Sequence, residues 1–124
     1  MAILKRIGFC LSAIAILGMS DRAIAQELVD LGRNSNGIPV FLQQESPVST
    51  NFKIVQEYGD GILYSSFSAG CKNRNVFYKS LALYNAAGLR TQNFVYNKTV
   101  VPPQKSFPSV SLALVCRNLG ATDW

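Results

Sequence analysis

The sequence predicts an α+β domain: an antiparallel β-sheet of about five to six strands with a C-terminal helix packed on it, tied by one disulfide. Three observations lead there. Between Glu27 and Tyr96 the chain runs in short alternating segments punctuated by glycine, asparagine and proline, the pattern of antiparallel strands. Near the end, Ser106 and Pro108 precede an apolar run that stops at Gly120, which reads as a helix with its start and stop signals. Two cysteines, Cys71 and Cys116, remain once an N-terminal leader is set aside.

Residues 1–25 read as a secretory signal peptide. Lys5 and Arg6 precede an apolar run from Ile7 to Met19, and Ala23-Ile24-Ala25 supplies a small-x-small cleavage site ahead of Gln26. The run falls short of the ~20 residues that span a bilayer, so no membrane anchor is expected after cleavage. Cys10 leaves with the leader, because lipidation needs the apolar run ahead of its cysteine and here the run follows. Residues 26–124 are then one domain with nine basic and six acidic side chains, a net charge of about +3. That balance attracts anionic surfaces only weakly.

The strands follow in order. Glu27 to Arg33 alternates weakly, Asn34-Ser35-Asn36-Gly37 turns, and Gly37 to Gln43 returns. Pro39 lacks a ladder donor, which argues that its strand is an edge, either protected from pairing by the proline or the place where a second copy adds to make a homodimer. Gln44 to Asn51 is a loop. Phe52, Ile54, Gln56 and Tyr58 share one face of the next strand, Gly59-Asp60-Gly61 turns it back, and Ile62 to Phe67 is its partner. Ser68-Ala69-Gly70 turns the chain into Cys71. Asn75 to Tyr84 is the longest strand candidate and pairs through Asn85-Ala86-Ala87-Gly88 with Leu89 to Tyr96. Asn97 to Pro108 is too proline-rich for a sheet. In the last segment Ser106 caps a helix, Pro108 sits in its first turn, and Val110, Leu114 and Val115 fall at helical spacing. Val110, Leu112 and Leu114 also alternate as in a strand, but the proline start and glycine stop favour the helix over residues 108–119.

Export to an oxidising compartment and an even cysteine count argue for a Cys71–Cys116 disulfide joining the helix to the start of the long strand. A bridge across 45 positions is worth roughly 4 kcal/mol in the chain-entropy account. The surrounding stretch "GCKNRNVFYK", Gly70 to Lys79, admits other readings. Lys72 and Arg74 would lower the pKa of a reduced Cys71, yet the chain has no histidine to serve as its base. Metal sites would have to be built from carboxylates alone. Glu27, Asp30, Glu45, Glu57, Asp60 and Asp123 show no spacing that pairs two on one strand face. Glu57 and Asp60 flank a hairpin turn, where solvated turn residues outweigh a glycosidase-like pair. Gly59 and Gly61 are turn glycines, not a phosphate loop. No enzyme, no cofactor and no metal are therefore expected.

Lys72, Arg74 and Lys79 with Phe77, Tyr78 and Tyr84 resemble a basic, aromatic face for single-stranded nucleic acid. An exported protein rarely meets that partner, and strand aromatics more often form core and cross-strand pairs, so no nucleic acid is expected. The three cations remain candidate contacts for a polyanionic matrix or an acidic protein surface. Asn97-Lys98-Thr99 matches a glycosylation sequon.

From Phe67 to Cys116 the chain resembles the surface-adhesin protein E family of small exported bacterial proteins. The likeness rests on a cysteine followed by basic residues, Tyr84-x-x-x-Gly88 at a strand end, Pro102-Pro103 with a nearby serine, and an apolar segment ending in Val115-Cys116. Gly37-Ile38-Pro39-Val40-Phe41 matches more loosely the family's glycine-led, aromatic-bearing strand. The resemblance implies an antiparallel sheet carrying a C-terminal helix, and adhesion to matrix proteins such as laminin and vitronectin. Two features depart from it: no cysteine is placed for lipid attachment, and Phe94 to Tyr96 stands where the family often has a tryptophan. The expectation is a periplasmic, secreted or cell-surface binding protein that engages a protein or extracellular-matrix partner. The alternative is a periplasmic structural accessory of an envelope complex.

Overall fold

Six strands in chain order, joined by short turns and one six-residue loop between the second and third, build one antiparallel sheet. The structure is a computed structural model and describes residues 28–122 and 124. The expected signal peptide with Cys10, and the carboxylates Glu27 and Asp123, lie outside the described residues. The strands are β1 (Leu28–Arg33), β2 (Pro39–Gln44), β3 (Asn51–Tyr58), β4 (Gly61–Gly70), β5 (Asn75–Tyr84) and β6 (Arg90–Val100). A single described helix, α1 (Phe107–Asn118), follows. Spatial order equals sequence order, β1 to β6, so β1 and β6 are the two edges.

Polar turn chemistry fixes each reversal. Asn34 Oδ1 accepts from the backbone N–H of Asn36 at 2.8 Å and of Ile38 at 3.1 Å, and Asn85 Oδ1 does the same for Ala87 and Leu89 at 3.0 Å each. Gly59, at φ 63°, supplies the left-handed residue of the two-residue β3–β4 turn. The fourth turn holds Cys71 to Arg74, with Arg74 itself at φ 54°.

Pro39 does not mark an edge. It opens β2, which pairs with β1 on one side and β3 on the other. The β2–β3 ladder begins only at Val40, opposite Gln56, so the missing N–H of a first strand residue costs no ladder bond. Two strands also run past their expected ends. β4 continues through Ser68-Ala69-Gly70 to pair Gly70 with Asn75. β6 reaches Val100 and, at 11 residues, exceeds β5 as the longest strand. It does so by a bulge in which Asn97 takes φ 47°, a conformation asparagine tolerates well.

The helix forms where its signals fall. Ser106 Oγ accepts from Ser109 N–H at 3.3 Å, and Pro108 occupies the first turn. At the other end Gly120 is at φ 89°, its N–H bonds to Arg117 O, and Ala121 N–H bonds to Cys116 O, both at 3.0 Å. That pair of bonds is a Schellman cap. The helix presents Ser111, Leu112, Val115 and Cys116 to the sheet, whereas Val110 lies on the exposed side. The core is thus Leu112, Val115 and Cys116 set against Val40, Leu42, Phe52, Ile54, Phe67 and Val76. Burial of each large side chain contributes about 1.5–3 kcal/mol.

Candidate functional site

Cys71 and Cys116 are bonded, with Cα atoms 5.6 Å apart. Cys116 is fully buried, and Cys71 is half-buried at the sheet end of the bridge. A disulfide of this kind belongs to an oxidising compartment. Beside it a cleft of about 350 Å³ is lined by Cys71, Lys72, Arg74, Ala121, Thr122 and Trp124. The Arg74 guanidinium stands 4.2 Å from the centre of the Trp124 ring, a cation–π contact.

The three expected binding cations do not form one patch. Lys72 and Arg74 share the cleft at the β4–β5 turn, whereas Lys79 lies in a separate depression with Gln43, Lys53, Ser66 and Ser80. There its Nζ donates to Asn51 Oδ1 at 2.6 Å. The aromatics of the same stretch are divided as well. Tyr78 stacks with Phe67 and Tyr96 on the helix side, while Tyr84 meets Tyr64 on the opposite face.

Cross-strand register lays out that opposite face in rows. One row is Gln43, Lys53, Ser66, Ser80 and Val95; the next is Phe41, Val55, Tyr64, Ala82 and Asn93; a third is Glu57, Ile62, Tyr84 and Arg90. A shallow depression of about 820 Å³ runs over them. Tyr64 is its centre: the Tyr84 ring meets it edge-on at 5.3 Å and 87°, and Lys53 Nζ stands 5.4 Å from its centroid. Burial pushes the Tyr64 phenol above its usual pKa, with the neighbouring Tyr84 adding to the shift. Glu57 and Asp60 both line this depression at the β3–β4 hairpin.

On the helix side an aromatic ladder crosses four strands: Phe52 to Phe67 at 5.3 Å, Phe67 to Tyr78 at 4.7 Å, and Tyr78 to Tyr96 at 4.6 Å. It runs from the buried core to the exposed β6 edge. Alternation in each strand announces half of every rung, but only the register pairs them. Next to it, Pro102, Pro103, Phe107 and Val100 border an apolar cleft of about 380 Å³.

Outside the strands, Glu45 accepts from Asn51 Nδ2 at 2.9 Å and Ser49 Oγ at 2.8 Å, and these bonds hold its carboxyl below the usual range. Among the described residues no three His, Cys, Asp or Glu side chains stand together as metal ligands. Among the same residues no helix is long and apolar enough to cross a membrane. In comparisons with known proteins the chain matches no family model, no curated protein and no solved structure.

Proposed function

We propose that this protein is an exported, non-enzymatic binding protein, similar in kind to surface-adhesin protein E, that engages a protein or extracellular-matrix partner along the β6 edge of its sheet. One observation carries the reading. β6 has no strand beyond it, every residue but Val100 is exposed, and Phe94, Val95 and Tyr96 are 50%, 63% and 41% accessible. Unpaired N–H and C=O groups beside exposed aromatics suit the addition of an extended partner segment. Lys98, opposite Tyr78, places a further cation toward the end of the sheet that holds Lys72 and Arg74. Together they favour an acidic partner and speed its encounter.

The experiment is binding of the purified protein to immobilised laminin and vitronectin as a function of salt. Val95→Glu is expected to weaken binding at least ~10-fold, about 1.4 kcal/mol. Lys72→Ala with Arg74→Ala should flatten the salt dependence. Wild-type affinity in Val95→Glu would exclude the β6 edge, and binding indifferent to salt would exclude the cations. Failure to bind either matrix protein, with retention in inner-envelope complexes on fractionation, would support the structural-accessory role instead.

A further inference from the structure

We propose that the sheet face opposite the helix is a binding site for a short neutral oligosaccharide, centred on Tyr64. This goes beyond the edge reading and uses the sheet face, which adjoins the β6 edge at Asn93 and Val95. The depression there is shallow, about 820 Å³, and lined mostly by polar side chains. Its lining distinguishes between classes of ligand.

A protein partner fits it poorly. The cores of protein interfaces are depleted in Lys, Glu, Asp, Ser and Ala, and those residue types are Lys53, Glu57, Asp60, Ser66, Ser80 and Ala82 on this surface. A polyanion fits it no better, because the cations Lys53 and Arg90 are matched one for one by Glu57 and Asp60. The local charge is balanced, which complements an uncharged ligand.

What remains is a polar platform with aromatic rings at its centre. The Lys53 ammonium stands over the Tyr64 ring at 5.4 Å and Tyr84 meets that ring edge-on, so a pyranose stacks its C–H face there by turning the flexible Lys53 side chain aside. Around them Asn85 and Asn93 offer amides, and Ser66 and Ser80 offer hydroxyls. Amides and hydroxyls both donate and accept, as a sugar's hydroxyls require. Asn85 Oδ1 is already committed to two backbone N–H groups of the β5–β6 turn, which fixes its amide and leaves Nδ2 to donate. The rows are held in register by five strands, so apart from the Lys53 side chain this arrangement exists before any ligand arrives.

The test is an NMR titration of the isotope-labelled protein with cellotetraose, chitotetraose and, as the anionic comparison, a heparin-derived tetrasaccharide. Saturable shifts at Tyr64, Ser66 and Asn93 are expected with at least one neutral probe. Tyr64→Ala should reduce affinity at least ~10-fold while Tyr64→Phe keeps it within about threefold. Should Tyr64→Ala fail to fold, Ser80→Arg fills the depression from a solvent-facing position and should abolish the same shifts. No shifts with either neutral probe at about 10 mM, shifts confined to β6, or binding of the heparin fragment alone would each overturn the proposal. Laminin binding that is lost in Phe94→Glu, on the helix side of β6, but kept in Ser80→Arg would separate this site from the edge.

Discussion

Cys116, fully buried on the helix, lies 5.6 Å Cα to Cα from Cys71 at the β4–β5 turn, across 45 positions of chain. Removing the bond by Cys71→Ser with Cys116→Ser is expected to cost about 2–4 kcal/mol. Denaturant titration of the variant and the oxidised protein measures the difference. Under the proposed export, the intact mass of the mature protein should correspond to a chain starting at Gln26 and show two alkylations only after reduction.

Ser111 is the counter-example within the same helix face. Its side chain is completely buried, and Oγ has no hydrogen-bond partner among the described residues. A buried hydroxyl left unpaired costs about 1–3 kcal/mol, and alanine is the better helix former. Ser111→Ala is therefore expected to raise stability by about 1 kcal/mol, read as a higher thermal midpoint. A loss of stability would mean that the hydroxyl is satisfied in solution.

Gly61 is glycine for want of room. A β-carbon there would overlap the Tyr84 carbonyl oxygen on the neighbouring strand. The obstacle is backbone and cannot swing aside. Gly61→Ala should destabilise by at least about 2 kcal/mol and disturb the β4–β5 pairing at Ile62 and Tyr84. Hydrogen exchange at those two residues would report it.

Much of this architecture was legible because local signals and tertiary packing agree. Asn75 to Tyr84 is a strand with the expected ends, since Asn85 to Gly88 leaves the chain no choice but to turn. Ser106, Pro108 and Gly120 delimit the helix for the same reason. Pro39 misleads because a proline excludes a strand interior but not its first residue. Pro102 and Pro103 block pairing only where they stand, so β6 runs on to Val100. The buried face of the helix was hidden because Val110, Leu112, Leu114 and Val115 are apolar nearly all round; the disulfide sets the phase. Of the candidate site, residue types were readable and their grouping was not. Lys72 and Arg74 stay together because they share a turn, while Lys79 leaves them at the bulge where Ser66 and Phe67 shift register. Neither Arg74 on Trp124 nor Tyr64 on Tyr84 has a local signal, because each contact is made by strand register or by the chain's return.

Glu45 gives a pH dependence with a definite sign. Its hydrogen bonds from Asn51 and Ser49 lower its folded pKa below the usual 4.5. The folded state therefore gains from the carboxylate above that value, and the gain is lost as pH falls through the lowered pKa. Glu45→Gln should be slightly less stable than wild type near neutral pH, with the gap closing in acid. Thermal midpoints measured from pH ~3 to ~7 would show it, and a gap that widens in acid would refute it.

The meander order of the strands has a bearing on how the chain is made. Each strand docks on the one synthesised just before it, so the sheet grows in step with chain emergence and needs only local contacts. The helix is different, because it comes last and covers Val40, Leu42 and Phe52 from the beginning of the sheet. Until it arrives those side chains face water, and a nascent chain halted before Phe107 is a half-covered sheet prone to association. The Cys71–Cys116 bond can close only once the helix has arrived, so it locks the last element over that surface.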